Sequence, residues 1–419
     1  MLQITHGICL PSRPSCGRNA EVLPHPEQRP DLLRAYADVL VRVGVNLQPG
    51  QGLLLTEPFE LQGVTRAASV LVEAVSEAAR RAGGGPVEVI WADERRLIAA
   101  AQGWPDPGFE AVLSANARRM GEQVARRGAL LFLQGSQPRL MDGVAPDRVA
   151  RLRERCWQHY GPVAAQLVHG ATNWTVAPAP TLDWARALVP SAACGSAERM
   201  LERLRNIVFV ACRANLPDPL AGWRAHLARL TNWREDLNDR ALRAVRYRGP
   251  GTDLTVQLAR GHRWCTAALR SRDGVPFVAN LPTEEVFTAP DRRTAHGVVR
   301  VARPIAYGGA VMDGIELEFI AGEVVRARAR TGQELLWRVL KTDEGSARLG
   351  EVALVLDRDG PLARAGTWFH HTLLDENTLP HIALGDGYPF SVHDSGEPGL
   401  NHSLIHVDLP VEAEVDCAR

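Results

Sequence analysis

The sequence predicts an α/β N-terminal domain built on a parallel sheet, followed by an α+β C-terminal domain that carries a metal site. Three observations lead there. In the first half, short runs of consecutive apolar residues alternate with stretches of helical periodicity, the pattern of strands covered on both faces by helices. Beyond about residue 250 the texture changes to short strands separated by Gly and Pro. Six of the thirteen histidines (His370, His371, His381, His393, His402 and His406) lie between 370 and 406, where an even spread would put about one.

The elements follow in order. Leu32, Leu33, Tyr36, Leu40 and Val43 recur at helical spacing from Asp31, and Gly44 closes the run. Residues 52–56 read as a short buried strand. An Ala-rich helix is expected over 63–82, ended by Gly83-Gly84-Gly85-Pro86, and 87–91 returns as strand. A helix over 109–127 leads to a strand at 129–133, then to a helix around 147–160. The Pro-punctuated stretch 174–181 is the candidate boundary between the halves. A helical region reaches about Tyr247, with a strand-like Ile207-Val208-Phe209-Val210-Ala211 inside it. Strands are expected at 253–258, 297–301, 315–319 and 324–328. The expected organisation is a disordered leader over 1–30, an α/β domain over 31–190 and the metal-binding domain over 191–419. Ala214-Asn215-Leu216-Pro217 recurs as Ala279-Asn280-Leu281-Pro282, which is treated as chance.

Composition narrows the function. Acidic and basic residues balance at 48 each, so no footprint for nucleic acid or an anionic membrane is visible. Lys341 is the only lysine, and no Gly-rich loop precedes it, which argues against a Walker site or Schiff-base chemistry. Seven scattered cysteines without a CxxC pair point to a reduced, cytoplasmic setting. No run of eighteen apolar residues is present to span a membrane. His-Glu-x-x-His, the Gly-x-Ser-x-Gly elbow and Gly-x-Gly-x-x-Gly are all missing. Cys265 reads as a packed thiol rather than a nucleophile.

Imidazoles and carboxylates together are the ligand set of a borderline divalent ion. His406 and Asp408 are two apart, so on a strand they leave the same face. Glu351 sits at the mouth of the apolar run 350–355, where a buried carboxylate needs a partner. A metal or an arginine would serve equally. Glu284 and Glu285 are adjacent carboxylates between Pro282 and Pro290.

Taken together, residues 280–291 (Asn-Leu-Pro-Thr-Glu-Glu-Val-Phe-Thr-Ala-Pro-Asp), 349–355 (Leu-Gly-Glu-Val-Ala-Leu-Val), Leu373-x-Asp375-Glu376-Asn377, His381 with Tyr388, and Asn401-x-Ser-Leu-Ile-His-Val-Asp resemble the signature of the thermophilic aminopeptidase T family, the M29 metallopeptidases. Looser likenesses at Tyr36-Ala37-x-x-Leu40, 48–52, 89–93 and Asp218-Pro219-x-x-x-Trp223 extend it over roughly 31–409. The chain departs from the family at His370-His371, in the compressed loop between Tyr388 and His406, and in the run after Asp408, which lacks a Met-Ile-Gly turn.

The resemblance implies paired-metal ligands at Glu285, Glu351, His381, His406 and Asp408. Of the adjacent glutamates it favours Glu285, with Glu284 as the fallback. It implies that Tyr388 stands at the metal or beside the substrate, and that Glu376 backs the ligands or acts as general base. The implied function is a cytoplasmic, homodimeric aminopeptidase that uses two divalent ions (Zn, Co or Mg) to activate a water and removes N-terminal residues from short peptides. The same scaffold also resembles that of ring-opening 2,5-dihydroxypyridine dioxygenases, which hold one Fe²⁺. His381, His406 and Asp408 would suffice for that alternative.

Overall fold

A computed structural model describes residues 31–418 apart from Trp104, Ser136, 189–195 and Ser395, so the leader expected over 1–30 lies outside the described residues. The first half is a four-stranded parallel sheet. Leu53–Thr56 pairs with Val87–Val89 on one side and Ala129–Gln134 on the other, and Trp174–Pro178 forms the far edge. Successive residues of its strands feed opposite cores: Leu53, Leu55, Leu131 and Leu133 enter one, while Leu54, Leu130 and Phe132 enter the other. That two-sided burial is why these strands read as unbroken apolar runs. Asp106 and Asp218 cap the helices Pro107–Ala125 and Pro219–Asp239 through Phe109 N–H and Ala221 N–H, each with a proline in the first turn.

Some local expectations change, and two segments take a structure that the sequence left unassigned. The Pro-punctuated 174–181 contributes the fourth strand, Trp174–Pro178, because its prolines stand at and beyond the strand's end, where no ladder donor is needed. Ile207–Ala211 closes the helix Ala197–Ala211; Ser196 caps its start, and Leu204, Ile207, Val208 and Ala211 bury at helical spacing. The Ala-rich helix begins only at Ser69, after a 3₁₀ turn over Arg66–Ala68, because Val64 bridges in parallel to Trp91 and holds the chain extended up to Thr65. Glu94–Gly103, unassigned from sequence, is also a helix.

The second half stacks two antiparallel sheets. One has six strands, ordered Glu323–Arg328, Glu316–Ile320, His296–Arg300, Thr252–Gln257, Ala244–Gly249 and Glu414–Ala418. The other has four, ordered His406–Pro410, His381–Gly385, Leu349–Val355 and Glu285–Thr288. Leu254, Val299, Leu317 and Phe319 from the first meet Val286, Val352, Leu354, Ile382, Leu384 and Leu409 from the second in one core. The expected α/β half with a parallel sheet and the β-rich second half are both present. The halves are joined at the sheet edge, where Val176 N–H donates to Ala279 O (2.7 Å) and Leu281 N–H to Val176 O (2.9 Å).

Candidate metal centre

The four-stranded sheet sends only one of its faces into the core. Its pairing aligns Glu351 with Ala383 and Ala383 with Asp408, His381 with Ala353, Gly385 with His406, and Val355 with Glu285. Directly paired residues share a face, and alternate residues along a strand return to it. Glu285, Glu351, His381, His406 and Asp408 therefore all project from the face opposite the core. Between them stand the small Ala353, Ala383 and Gly385, which leave an open floor.

Distances show how tightly they converge. His381 Nε2 lies 3.2 Å from Glu285 Oε2, 3.3 Å from Glu351 Oε1 and 4.0 Å from Asp408 Oδ1. His406 Nε2 lies 3.2 Å from Asp408 Oδ1 and 3.9 Å from Glu351 Oε2. The donor atoms form two groups, Glu285 with Glu351 and His381, and Glu351 with His406 and Asp408; each fits within 4.8 Å, and Glu351 belongs to both. All five residues are buried except His406, which is partly so.

The electrostatics of this face ask for cations. Taken among protein groups alone, burial raises the Glu351 carboxyl. Burial, then Asp408 and Glu285, push Glu376 well above the usual range. Burial works against both imidazoles, yet carboxylates prevail: Glu285 and Glu351 raise His381, and Asp408 raises His406 to about 10. Asp408 falls to about 2 because His406 overcomes its burial.

The residues present fit a metal. Glu285 Oε2 is buried without a well-directed hydrogen bond. His406 Nδ1 lies 2.8 Å from Asp386 O and His381 Nδ1 3.4 Å from Leu379 O. An Nδ1–H donated to a carbonyl leaves the Nε2 lone pair turned inward, the usual arrangement for a ligating histidine.

The two adjacent glutamates separate cleanly. Glu284 Oε1 accepts from Arg213 (2.7 Å), which also donates to His226 Nδ1 (2.8 Å) and lies over the Trp223 ring. His226 Nε2 donates to Thr283 O (2.8 Å), and Glu284 N–H donates to Asn377 Oδ1 (2.6 Å). Glu284 is thus held away from the cluster, in a clamp that joins the strand bearing Glu285 to Asn377, at the end of the helix Thr372–Glu376. A lone arginine in an arginine-rich chain carries no sequence signal, and Arg213 and His226 were not foreseen.

Tyr388 stacks on Phe390 (5.1 Å between centroids), tilts against Phe287 (5.7 Å) and lies 5.0 Å from the His406 ring. Burial first, then the nearby carboxylates, hold its phenol well above 10, so it remains a donor. Glu376 and Tyr388 line a cavity of ≈ 90 Å³ together with the five cluster residues. The other four histidines of the rich segment do other work or stand apart. His371 stacks on Trp184, His393 N–H donates to Gly261 O, His402 is exposed, and His370 is not within the cluster.

Residues 30–416 match the family described as thermophilic metalloprotease (M29). Aminopeptidase T of Thermus thermophilus is 39% identical over 391 residues, spanning 91% of this chain and 92% of its own length. Aminopeptidase 2 of Geobacillus stearothermophilus is 34% identical over 387 residues, 90% and 91% of the two chains. The solved structure of wild-type AmpT from Thermus thermophilus superposes with a TM-score of 0.82 at 36% identity, covering 92% of this chain and 95% of that one. Fold and donor set together define a metallopeptidase. The chain belongs to the thermophilic metalloprotease (M29) family.

Proposed function

We propose that the chain is an aminopeptidase that removes the N-terminal residue from short peptides, with two divalent ions (Zn, Co or Mg) held by Glu285, Glu351, His381, His406 and Asp408. The observation that carries this is the pair of donor groups sharing Glu351; the relatives' name, aminopeptidase, supplies the bond class. Bound divalent ions supply a water of lowered pKa and a Lewis acid for the scissile carbonyl.

The chain's own residues do the rest. The Glu376 carboxylate, buried and lining the cavity beside the five donors, takes a proton from the attacking water and returns it to the leaving amine. The Tyr388 phenol, held protonated, donates to the carbonyl oxygen as charge develops there. Phe287 and Phe390 wall this space against bulk water.

The reading includes a homodimer in the cytoplasm, two structural units over 31–190 and 191–419, and no nucleic-acid or membrane partner. Among the described residues no helix is long and apolar enough to cross a membrane. A single-iron dioxygenase site would use His381, His406 and Asp408 and leave Glu285 and Glu351, both in donor distance, without a task. Metal analysis of protein purified without chelator, paired with hydrolysis of Leu-p-nitroanilide, tests the proposal. It expects close to two ions per chain and turnover that rises with added Co²⁺. One iron per chain with oxygen uptake on a dihydroxypyridine overturns it.

A further inference from the structure

The cavity has a second wall with a different chemistry. The hairpin Ala268–Arg270/Pro276–Val278 pairs Leu269 with Phe277, and Ala279 N–H donates to Ala267 O (2.8 Å), so Ala267, Leu269, Phe277 and Ala279 share one face. Ala267, Leu269 and Ala279 line the cavity. Trp174, from the edge strand of the N-terminal sheet, lines it as well. Its ring rests 6.0 Å from Phe277, and its indole N–H donates to Leu167 O (3.2 Å). Among the described residues every ionisable side chain lining the cavity belongs to the cluster, Glu376 or Tyr388; the polar side chains beside this wall, Thr266 and Asn280, are uncharged. The ≈ 90 Å³ of the cavity is several times the roughly 10–15 Å³ that one water needs.

We propose, resting on the aminopeptidase reading above, that Trp174, Ala267, Leu269 and Ala279 form the subsite for the side chain of the substrate's N-terminal residue and select uncharged aliphatic residues. The wall and the cluster line one cavity, so a first residue held at the cluster has this wall beside it. An aliphatic group there trades water for apolar contact, worth about fourfold in affinity per added methylene. A charged side chain of the same length meets no counter-charge on the wall and loses its hydration.

The test compares kcat/KM for the Ala-, Leu-, Arg- and Glu-p-nitroanilides on the metal-loaded full chain. Leu is expected to exceed Ala by about tenfold or more, and to exceed Arg and Glu by a wider margin. Leu269→Trp, at a partly exposed position, fills the subsite and is expected to cut Leu turnover about tenfold while Ala changes less than about threefold. Leu269→Ala enlarges it and shifts preference towards Phe-p-nitroanilide. Calorimetry gives a readout without turnover: free L-leucine binds more tightly than L-alanine, and Leu269→Trp removes the difference. Preference for Arg or Glu in the wild type, or an unchanged Leu/Ala ratio in both variants, overturns the subsite and leaves the peptidase standing. Lack of turnover on all four anilides removes the peptidase reading and this inference with it.

Discussion

Glu284 and Glu285 are neighbours in the chain and point into different worlds: Glu284 lies 2.7 Å from the Arg213 guanidinium, and Glu285 lies 3.2 Å from His381 Nε2. Successive residues of an extended chain leave opposite sides, so one carboxylate secures the strand while the other serves the cluster. Two chemically identical substitutions should therefore have different consequences.

Glu284→Gln strands a largely buried guanidinium and is expected to cost roughly 3 kcal/mol of stability. Glu285→Gln is expected to leave the metal-free stability nearly unchanged, and to weaken metal binding by more than the roughly 10–100-fold typical of residues that only support a ligand. Urea denaturation and metal titration of the two variants check the contrast. Equal loss of stability in both would contradict the division of labour.

Glu351 belongs to both donor groups, so Glu351→Gln touches both at once. Turnover should fall by roughly a thousandfold, about 4 kcal/mol of barrier. Bound metal should drop below two ions per chain, with an unchanged far-ultraviolet circular dichroism spectrum. Retained activity would remove Glu351 from the centre.

Removing metal should loosen the fold as well as stop turnover. Glu285, Glu351, Glu376 and Asp408 crowd one buried face, and ions that bind only the folded chain stabilise it by about 4 kcal/mol at a thousand times their dissociation constant. Scanning calorimetry with a chelator should show a lower melting temperature that returns when Zn²⁺ or Co²⁺ is restored.

Glu57 offers a pH test remote from the cluster. It is 1% exposed and accepts from the backbone N–H groups of Phe59, Glu60 and Leu61, yet burial, with Glu60 adding to it, raises its carboxyl from 4.5 to about 7. A folded-state pKa above the unfolded one means that the folded chain binds the proton more tightly. Stability from this group is full below about pH 4.5 and is lost as pH rises through 7. Glu57→Gln should flatten that slope and raise stability at pH 8 by about 1–3 kcal/mol. Melting temperatures at pH 5 and pH 8 measure it; an unchanged difference between the two would refute the assignment.

The site was partly legible in the sequence because its pieces follow local rules. His406 and Asp408 share a face by strand period alone, and Glu351 stands out as a carboxylate in the run Leu349–Val355, every residue of which is buried. What was hidden is non-local. The order of the four strands, which sets Asp408 and Glu351 on either side of Ala383, depends on pairing between segments that other elements separate in the chain. Short apolar runs mislead for the same reason. Ile207–Ala211 fits a strand or a buried helical turn equally, and only its place in the helix Ala197–Ala211 decides. The histidine-rich segment overstated itself, since only His381 and His406 reach the donor groups.

The separation of one sheet into a donor face and a core face gives the central strand His381–Gly385 an unusual intolerance. Losing or gaining a single residue there would not displace one donor; it would exchange the two faces. Ile382 and Leu384 would turn towards the cavity, and the imidazole of His381 would turn into the apolar core. Point substitutions can erode this enzyme by degrees, whereas a one-codon insertion or deletion in that strand would remove catalytic centre and fold in a single event.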